Sequence, residues 1–342
     1  MLARRVNETS PVQAPITALN TAPILDVRNL RVEYLTERGP VRAVDGVSFA
    51  IRPGEVFGLA GESGSGKSTV AHAIMRVLHP PAVITDGEVS FRGQDVLAMD
   101  GAELEKFRWS EVSMVFQSAM NALNPVMTIG DQIVDVIQAH EEVSNRQARE
   151  RAAELLAVVG IDSRRIDAFA HQLSGGMRQR AVIAIALALQ PPMMIMDEPT
   201  TALDVVVQQE IIQQIAELKE RLGFSILFIT HDLSLLVELS TRIAIMYAGE
   251  IVELAPAREL FTNPLHPYTQ GLMSSFPSLT GEKRKLTGVP GSPPNMLHPP
   301  SGCRFHTRCQ LVRPMHTQVV PRLREVRPDH FVACHLLTSE GV

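Results

Sequence analysis

The stretch Gly61-Glu62-Ser63-Gly64-Ser65-Gly66-Lys67-Ser68-Thr69 fits G-x-x-x-x-G-K-[ST]. Glycines at these places let backbone N–H groups close on phosphate oxygens. Lys67 would neutralise β- and γ-phosphates, and the Ser68 hydroxyl would ligate Mg²⁺. The implied chemistry is the handling of a nucleoside triphosphate. Far downstream, the apolar run Met193-Met194-Ile195-Met196 ends in Asp197 and Glu198. At a strand tip Asp197 is suited to share the Mg²⁺, and Glu198 to polarise a water as general base. A further candidate lies between these two. Ser174, Gly175 and Gly176 open an apolar helical run, and the free N–H groups of a helix start attract anions. One chain thus carries two phosphate cradles.

These groups need strands that end beside one another and helices that begin there. "GEVFGLAG" reads as a short strand feeding the glycine loop, with a helix from Lys67 to about Leu78 behind it. "MMIMDEP" and "SILFITHD" are apolar without alternation, as strands of a parallel sheet covered on both faces are. "ILDVRNLRVEYL" and "VRAVDGVSFAI" alternate, as half-buried antiparallel strands do; "GEVSFRG" and "VSMVFQ" add two more strands. From Met127 to Gln172 the pattern is helical, with Ser144 and Gln147 as a capping box and Gly160 as a stop. "IAIMYAGEIVELA" reads as a hairpin turning at Gly249. The fold class is α/β, a P-loop ATPase core of mixed sheet with antiparallel strands and a helical subdomain, plus a small C-terminal extension.

With 342 residues, 45% hydrophobic and 20% charged, the chain is of ordinary globular composition and large enough for two domains. No apolar run reaches the roughly 18–20 residues that span a bilayer. The start lacks the apolar segment of a secretory signal and reads as a disordered lead-in over residues 1–23. From Gly281 onward nine Lys/Arg stand against four Asp/Glu, within a net charge of −5 for the whole chain. Such a basic tail suits anionic lipid or another acidic surface, or a solvated appendage. All three cysteines, Cys303, Cys309 and Cys334, fall in this tail. Without a secretory signal, their clustering suggests metal or redox chemistry before disulfides.

"LSGGMRQR" from Leu173, "IMDEPTTALD" and "ITHDL" together resemble the nucleotide-binding subunit of an ABC transporter, from about Ile24 to Leu254. The resemblance answers why two cradles are present. In that family two ATPase subunits pair head to tail, and the signature of one closes on ATP held by the phosphate loop of the other. It implies that Ser174, Gly175 and Gly176 meet a partner's γ-phosphate. It also implies that Gln117 links the γ-phosphate and Mg²⁺ to the helical subdomain, and that His231 contacts the γ-phosphate. Asp204 would signal across the dimer, and Tyr34 would stack on adenine. The domains so implied are 24–260 for the ATPase, with a helical subdomain at about 118–190, and 261–342 for the extension.

The tail is similar to the extension of ATPases that serve dipeptide and oligopeptide importers, in "NPLHPYTQGLMSSFPSL" and "GCRFHTRC…VACHL". That resemblance implies ATP-driven peptide import from the cytoplasmic face of a bacterial or archaeal membrane. The implied partners are a second, different ATPase subunit, two permeases and an external binding protein, with no nucleic acid. Related branches carry nickel, glutathione, opines or oligosaccharides. A soluble ABC ATPase of DNA repair would need a long coiled coil, and a translational one usually has two cassettes; neither is present. The relatives often hold a [4Fe-4S] cluster on four cysteines. Here Cys303, Cys309 and Cys334 leave His316 at the third position, a set that iron–sulfur or Zn²⁺ could use, or that serves only packing. "HPYTQGL" reads as a capped helix packed on the ATPase core.

Overall fold

The computed structural model describes residues 22–117, 122–201, 203–275 and 288–337. The expected lead-in therefore lies outside the described residues, apart from its last two.

The alternating segments pair as expected. Strands β1 (Leu25–Thr36), β2 (Gly39–Ile51), β4 (Ala82–Phe91) and β5 (Gln94–Asp95) form an antiparallel sheet in the order β2-β1-β4-β5. A second sheet of eight strands contains β3 (Val56–Ala60), β6 (Val112–Val115), β7 (Met193–Asp197), β8 (Ser225–Ile229) and β9 (Arg242–Tyr247). These five run parallel in the order β9-β3-β8-β7-β6. Strand β10 (Glu250–Pro256) turns back on β9 at Gly249, and β12 (His330–Val332) and β11 (Arg324–Arg327) follow on its far edge. The tail thereby donates two strands to the eight-stranded sheet.

Every residue of β3, β7 and β8 is buried, because helices and the antiparallel sheet cover both faces. Successive strand side chains point to opposite faces, so β7 feeds two cores. Met194 and Met196 pack with α3 (Ile129–His140), α4 (Asn145–Val158) and α5 (Gly175–Ala186); Met193 and Ile195 pack toward β1 and α1 (Lys67–Ile74). The capping box before α4 is made, Ser144 and Gln147 bonding reciprocally. Helix α1 is shorter than the sequence suggests. Arg76 takes a left-handed turn at φ 49° and bonds the carbonyls of Val96 and Met99, ahead of Pro80 and Pro81. The remaining helices are α2 (Gly101–Ser110), α6 (Val205–Leu222), α7 (Leu233–Leu239), α8 (Ala257–Thr262) and α9 (Pro267–Ser274).

The parallel strands fix the place of the chemistry. Their carboxyl ends share one edge, so the loops after β3, β6, β7 and β8 emerge together.

Candidate nucleotide site

The loop after β3 is shaped by glycines that nothing else could replace. Gly61 has φ 152°, and a Cβ there would stand 2.3 Å from the Met246 carbonyl oxygen. Gly66, at φ 104°, would place one 2.2 Å from the Ala43 carbonyl oxygen. Ser63 and Gly64 stay exposed, whereas Ser65 and Lys67 are buried. Lys67 Nζ donates to the carbonyls of Gly61 at 2.9 Å and Glu62 at 3.0 Å. Burial lowers the Lys67 pKa, and the carboxylates of Glu198, Asp197 and Glu62 pull it back up. The ammonium is thus folded onto the loop's own carbonyls, within the electrostatic reach of those carboxylates. Thr69, in α1, meets the Tyr34 hydroxyl at 3.4 Å, which brings the β1 tyrosine to the loop.

Asp197 ends β7 almost wholly buried, and neither carboxylate oxygen has a hydrogen-bond partner. Burial raises its pKa; the neighbouring Ser68 hydroxyl and His72 pull the other way, Ser68 without hydrogen-bond geometry. Two orphaned buried oxygens beside a serine hydroxyl form a hard oxygen donor set of the kind Mg²⁺ takes, so the residues fit that ion. Glu198 follows at φ 47°, a left-handed conformation that costs a non-glycine residue about 1–3 kcal/mol. The twist turns its side chain toward three others. Glu198 Oε2 accepts from Gln117 Nε2 at 3.1 Å and from the Thr201 hydroxyl at 3.0 Å, while Oε1 lies 3.3 Å from His231 Nδ1. Gln117, Glu198 and His231 are therefore assembled from the ends of β6, β7 and β8. Thr201 was not foreseen; its position three residues after Glu198 is the only signal the sequence held.

Ser174 is brought to a different place. It caps α5, its hydroxyl accepting from Met177 N–H at 3.3 Å. Gly176 abuts α6, since a Cβ there would meet Val207 Cγ1 at 2.7 Å. Asp204 caps α6, accepting from Val207 N–H at 3.0 Å. Among the described residues no hydrogen bond or ion pair ties Ser174, Gly175, Gly176 or Asp204 to the 61–69 loop. Ser174, Asp204, Val205 and Val206 all face solvent, the last two at 81% and 69% exposure.

Comparison with known proteins now decides the family. Residues 44–201 match the ABC transporter family model, and 252–315 match the oligopeptide/dipeptide transporter C-terminal region. The oligopeptide transport ATP-binding protein OppD of Bacillus subtilis is 42% identical over 323 residues, covering 93% of this chain and 90% of its own. The chain belongs to the ATP-binding subunits of the dipeptide and oligopeptide ABC importer family. The dipeptide transport ATP-binding protein DppD of Lactococcus lactis is 44% identical over 317 residues, covering 92% of this chain and 91% of its own. Among solved structures, an ATP-binding cassette dimer in a post-hydrolysis state with ADP and Pi is 31% identical, with a TM-score of 0.61. The match covers 68% of this chain and 99% of that one. A second, cbiO1 from Clostridium perfringens, is 26% identical with a TM-score of 0.62, over 70% of this chain and 91% of its own.

The tail of this importer subunit departs from one expectation. Cys303, Cys309, His316 and Cys334 do line one small cavity, with His266, His306 and His335. Yet among the described residues no group of three or more His, Cys, Asp or Glu side chains is arranged to hold a metal ion. Burial pushes the Cys303 thiol up to about 11 and also raises Cys334, so both are neutral thiols as packed. His316 accepts the Arg313 N–H on Nδ1 at 3.1 Å and stacks on His335. The side chains line one cavity without forming a metal-holding group among the described residues, so the iron–sulfur or zinc expectation is not carried by this geometry. "HPYTQGL" is the capped helix expected: His266 caps α9, and Tyr268 is fully buried.

Proposed function

We propose that the chain is the MgATP-hydrolysing subunit that energises peptide uptake, with Lys67, Asp197, Glu198, Gln117 and His231 as its working residues. The observation that carries the reading is the convergence on Glu198 of Gln117 and His231, beside the orphaned carboxylate of Asp197. The backbone of 61–69 and Lys67 would hold the phosphates, with Tyr34 against the base. Ser68, Asp197 and Gln117 would hold Mg²⁺, which when bound screens the charge developing on the phosphoryl group. Glu198 Oε1 or Oε2 takes the proton of the attacking water. Gln117 and Thr201 fix the orientation of that carboxylate, and His231, its ring largely in solvent, reaches toward the γ-phosphate position.

The exposed signature supports a dimeric active unit. Ser174, Gly175 and Gly176 would meet the nucleotide of a second ATPase subunit, and Asp204 with Val205 and Val206 would lie in that interface. An apolar groove of about 300 Å³ between β6 and the helices, lined by Trp109, Met114, Phe116, Met127, Val136 and Ile185, suits a permease helix. Among the described residues no helix is long and apolar enough to cross a membrane; attachment through such permease partners is part of the proposal. We place the ATPase at 24–260 and the extension at 261–342. The names of the relatives support a peptide cargo; the external binding protein is what the resemblance to peptide importers implies. No step passes through the cysteine cavity. Iron, sulfide and zinc analysis after anaerobic purification settles its content: stoichiometric metal would mean the cavity rearranges to bind, and metal-free protein leaves it a packing contact.

The test is Glu198→Gln in the assembled transporter. ATP should stay bound while turnover falls on the order of 10²–10⁴-fold. Turnover at the wild-type rate would remove Glu198 from the mechanism.

A further inference from the structure

Two side chains of the extension reach into the phosphate loop. Tyr268 takes the backbone N–H of Glu62 on its hydroxyl at 3.0 Å. Arg308, its side chain 3% exposed, clasps the Glu62 carboxylate through both terminal nitrogens at 2.7 and 2.9 Å. The Glu62 carbonyl accepts from Lys67 Nζ at 3.0 Å. One loop residue is therefore held by the extension at its amide and its carboxylate, and touches the phosphate-binding lysine through its carbonyl.

The clamp is itself rigid. Arg308 Nε donates to the Pro290 carbonyl at 2.7 Å, and the guanidinium lies over the Tyr247 ring at 5.7 Å. Tyr247, Tyr268 and Phe305 pack with ring centroids 4.6 to 5.4 Å apart. On the neighbouring turn Arg304 bonds the Ala248 carbonyl, Asp45 and Glu250. The Cys303–Cys309 segment thus drives Arg304, Phe305 and Arg308 into the ATPase beside the loop.

A bidentate arginine–carboxylate pair fixes direction as well as distance. A phosphate cradle benefits from such support, because its N–H groups must converge before any anion is there to hold them together, and preorganised donors bind more tightly. We infer that Arg308 and Tyr268 are positioning residues for the nucleotide site, holding Glu62 so that the 61–69 loop is preformed and Lys67 is presented to phosphate. The inference rests on reading that loop as the MgATP cradle. It makes the extension a working part of the ATPase, acting through Glu62 without touching nucleotide.

The experiment measures MgADP binding to the full-length chain by calorimetry, since ADP needs only the chain's own loop. Tyr268→Phe keeps the ring and loses one bond; the Kd should rise about three- to tenfold. Arg308→Gln should weaken binding more, and Arg308→Lys should recover part of the loss. In a Glu62→Gln background, Arg308→Gln should add little, because the route through Glu62 is already cut. In turnover assays of the assembled transporter, the KM for ATP should rise with kcat nearly unchanged. Folded Tyr268→Phe and Arg308→Lys chains that bind MgADP as tightly as wild type would overturn the inference, as would full additivity of Arg308→Gln with Glu62→Gln. Wild-type protein that fails to bind MgADP would be a distinct result, overturning the cradle reading itself.

Discussion

The loop at 61–66 runs into α1, and the turn at Ser174 runs into α5; both present backbone N–H groups at a helix start. Their surroundings differ in every other respect. The first is a left-handed glycine turn closed over a buried lysine, faced by Asp197 and Glu198 and clamped by Arg308. The second is capped by its own serine, exposed, and flanked by α6 with no charge of the first site bonded to it among the described residues. A helix start alone does not make a catalytic phosphate site. On the proposed reading the first supplies the cation, the metal ligands and the base; the second supplies donors only, and would complete a site when another subunit brings the rest.

The sharpest way to break this contrast is at the first site. Lys67→Ala should abolish measurable nucleotide binding, and Glu198→Gln should leave it while lowering turnover on the order of 10²–10⁴-fold. Equal loss of binding in both variants would mean that Asp197, Glu198 and Lys67 form one electrostatic unit rather than separate functions. A smaller effect separates the glycines. Gly66→Ala drives a methyl against the Ala43 carbonyl oxygen in a left-handed backbone, and MgADP binding should fall at least tenfold, the equivalent of about 1.4 kcal/mol. Gly175→Ala meets only Leu203 at 3.4 Å, and this chain's own MgADP binding should be unchanged. If both variants bind alike, the two cradles are not distinct in the way described.

Much of the first site was legible because its signal is local. Gly61 to Thr69 announce a loop by their own spacing, and the unbroken apolar runs before Asp197 and His231 announce parallel strands whose ends must meet. What was not legible is what distant chain segments impose. The Tyr268 and Arg308 contacts with Glu62 join residues 206 and 246 positions apart. The left-handed turn at Glu198, the Thr201 bond and the shortened α1 likewise depend on neighbours that no spacing rule describes. The cysteines show the opposite failure. Their clustering in sequence was real and recurs in space, yet closeness did not bring the ligating atoms into a metal-holding arrangement.

The extension offers a weaker test of how firmly it is tied to the ATPase. Burial pushes His266 down to about 4 from 6.5, so it is neutral in the fold while it accepts the Tyr268 N–H. Glu253, which accepts from the His266 backbone and from His330, opposes the shift only in part. Because the folded value lies below the unfolded one, this contribution to stability is whole above pH 6.5 and is lost as pH falls toward 4. Between those limits the melting temperature of wild type should fall more steeply than that of His266→Asn, by on the order of 2–4 °C. Parallel curves would show that His266 is not the titrating group.

The central claim is that the two cradles serve two different nucleotides. It is tested most directly by photolabelling the assembled transporter with azido-ATP under turnover, with Ser174→Arg in this chain and a wild-type partner ATPase. The account predicts that this chain labels through its own loop as in wild type, while nucleotide occlusion and hydrolysis fail at the partner's loop. Loss of labelling on this chain, with the partner's site unaffected, would contradict it.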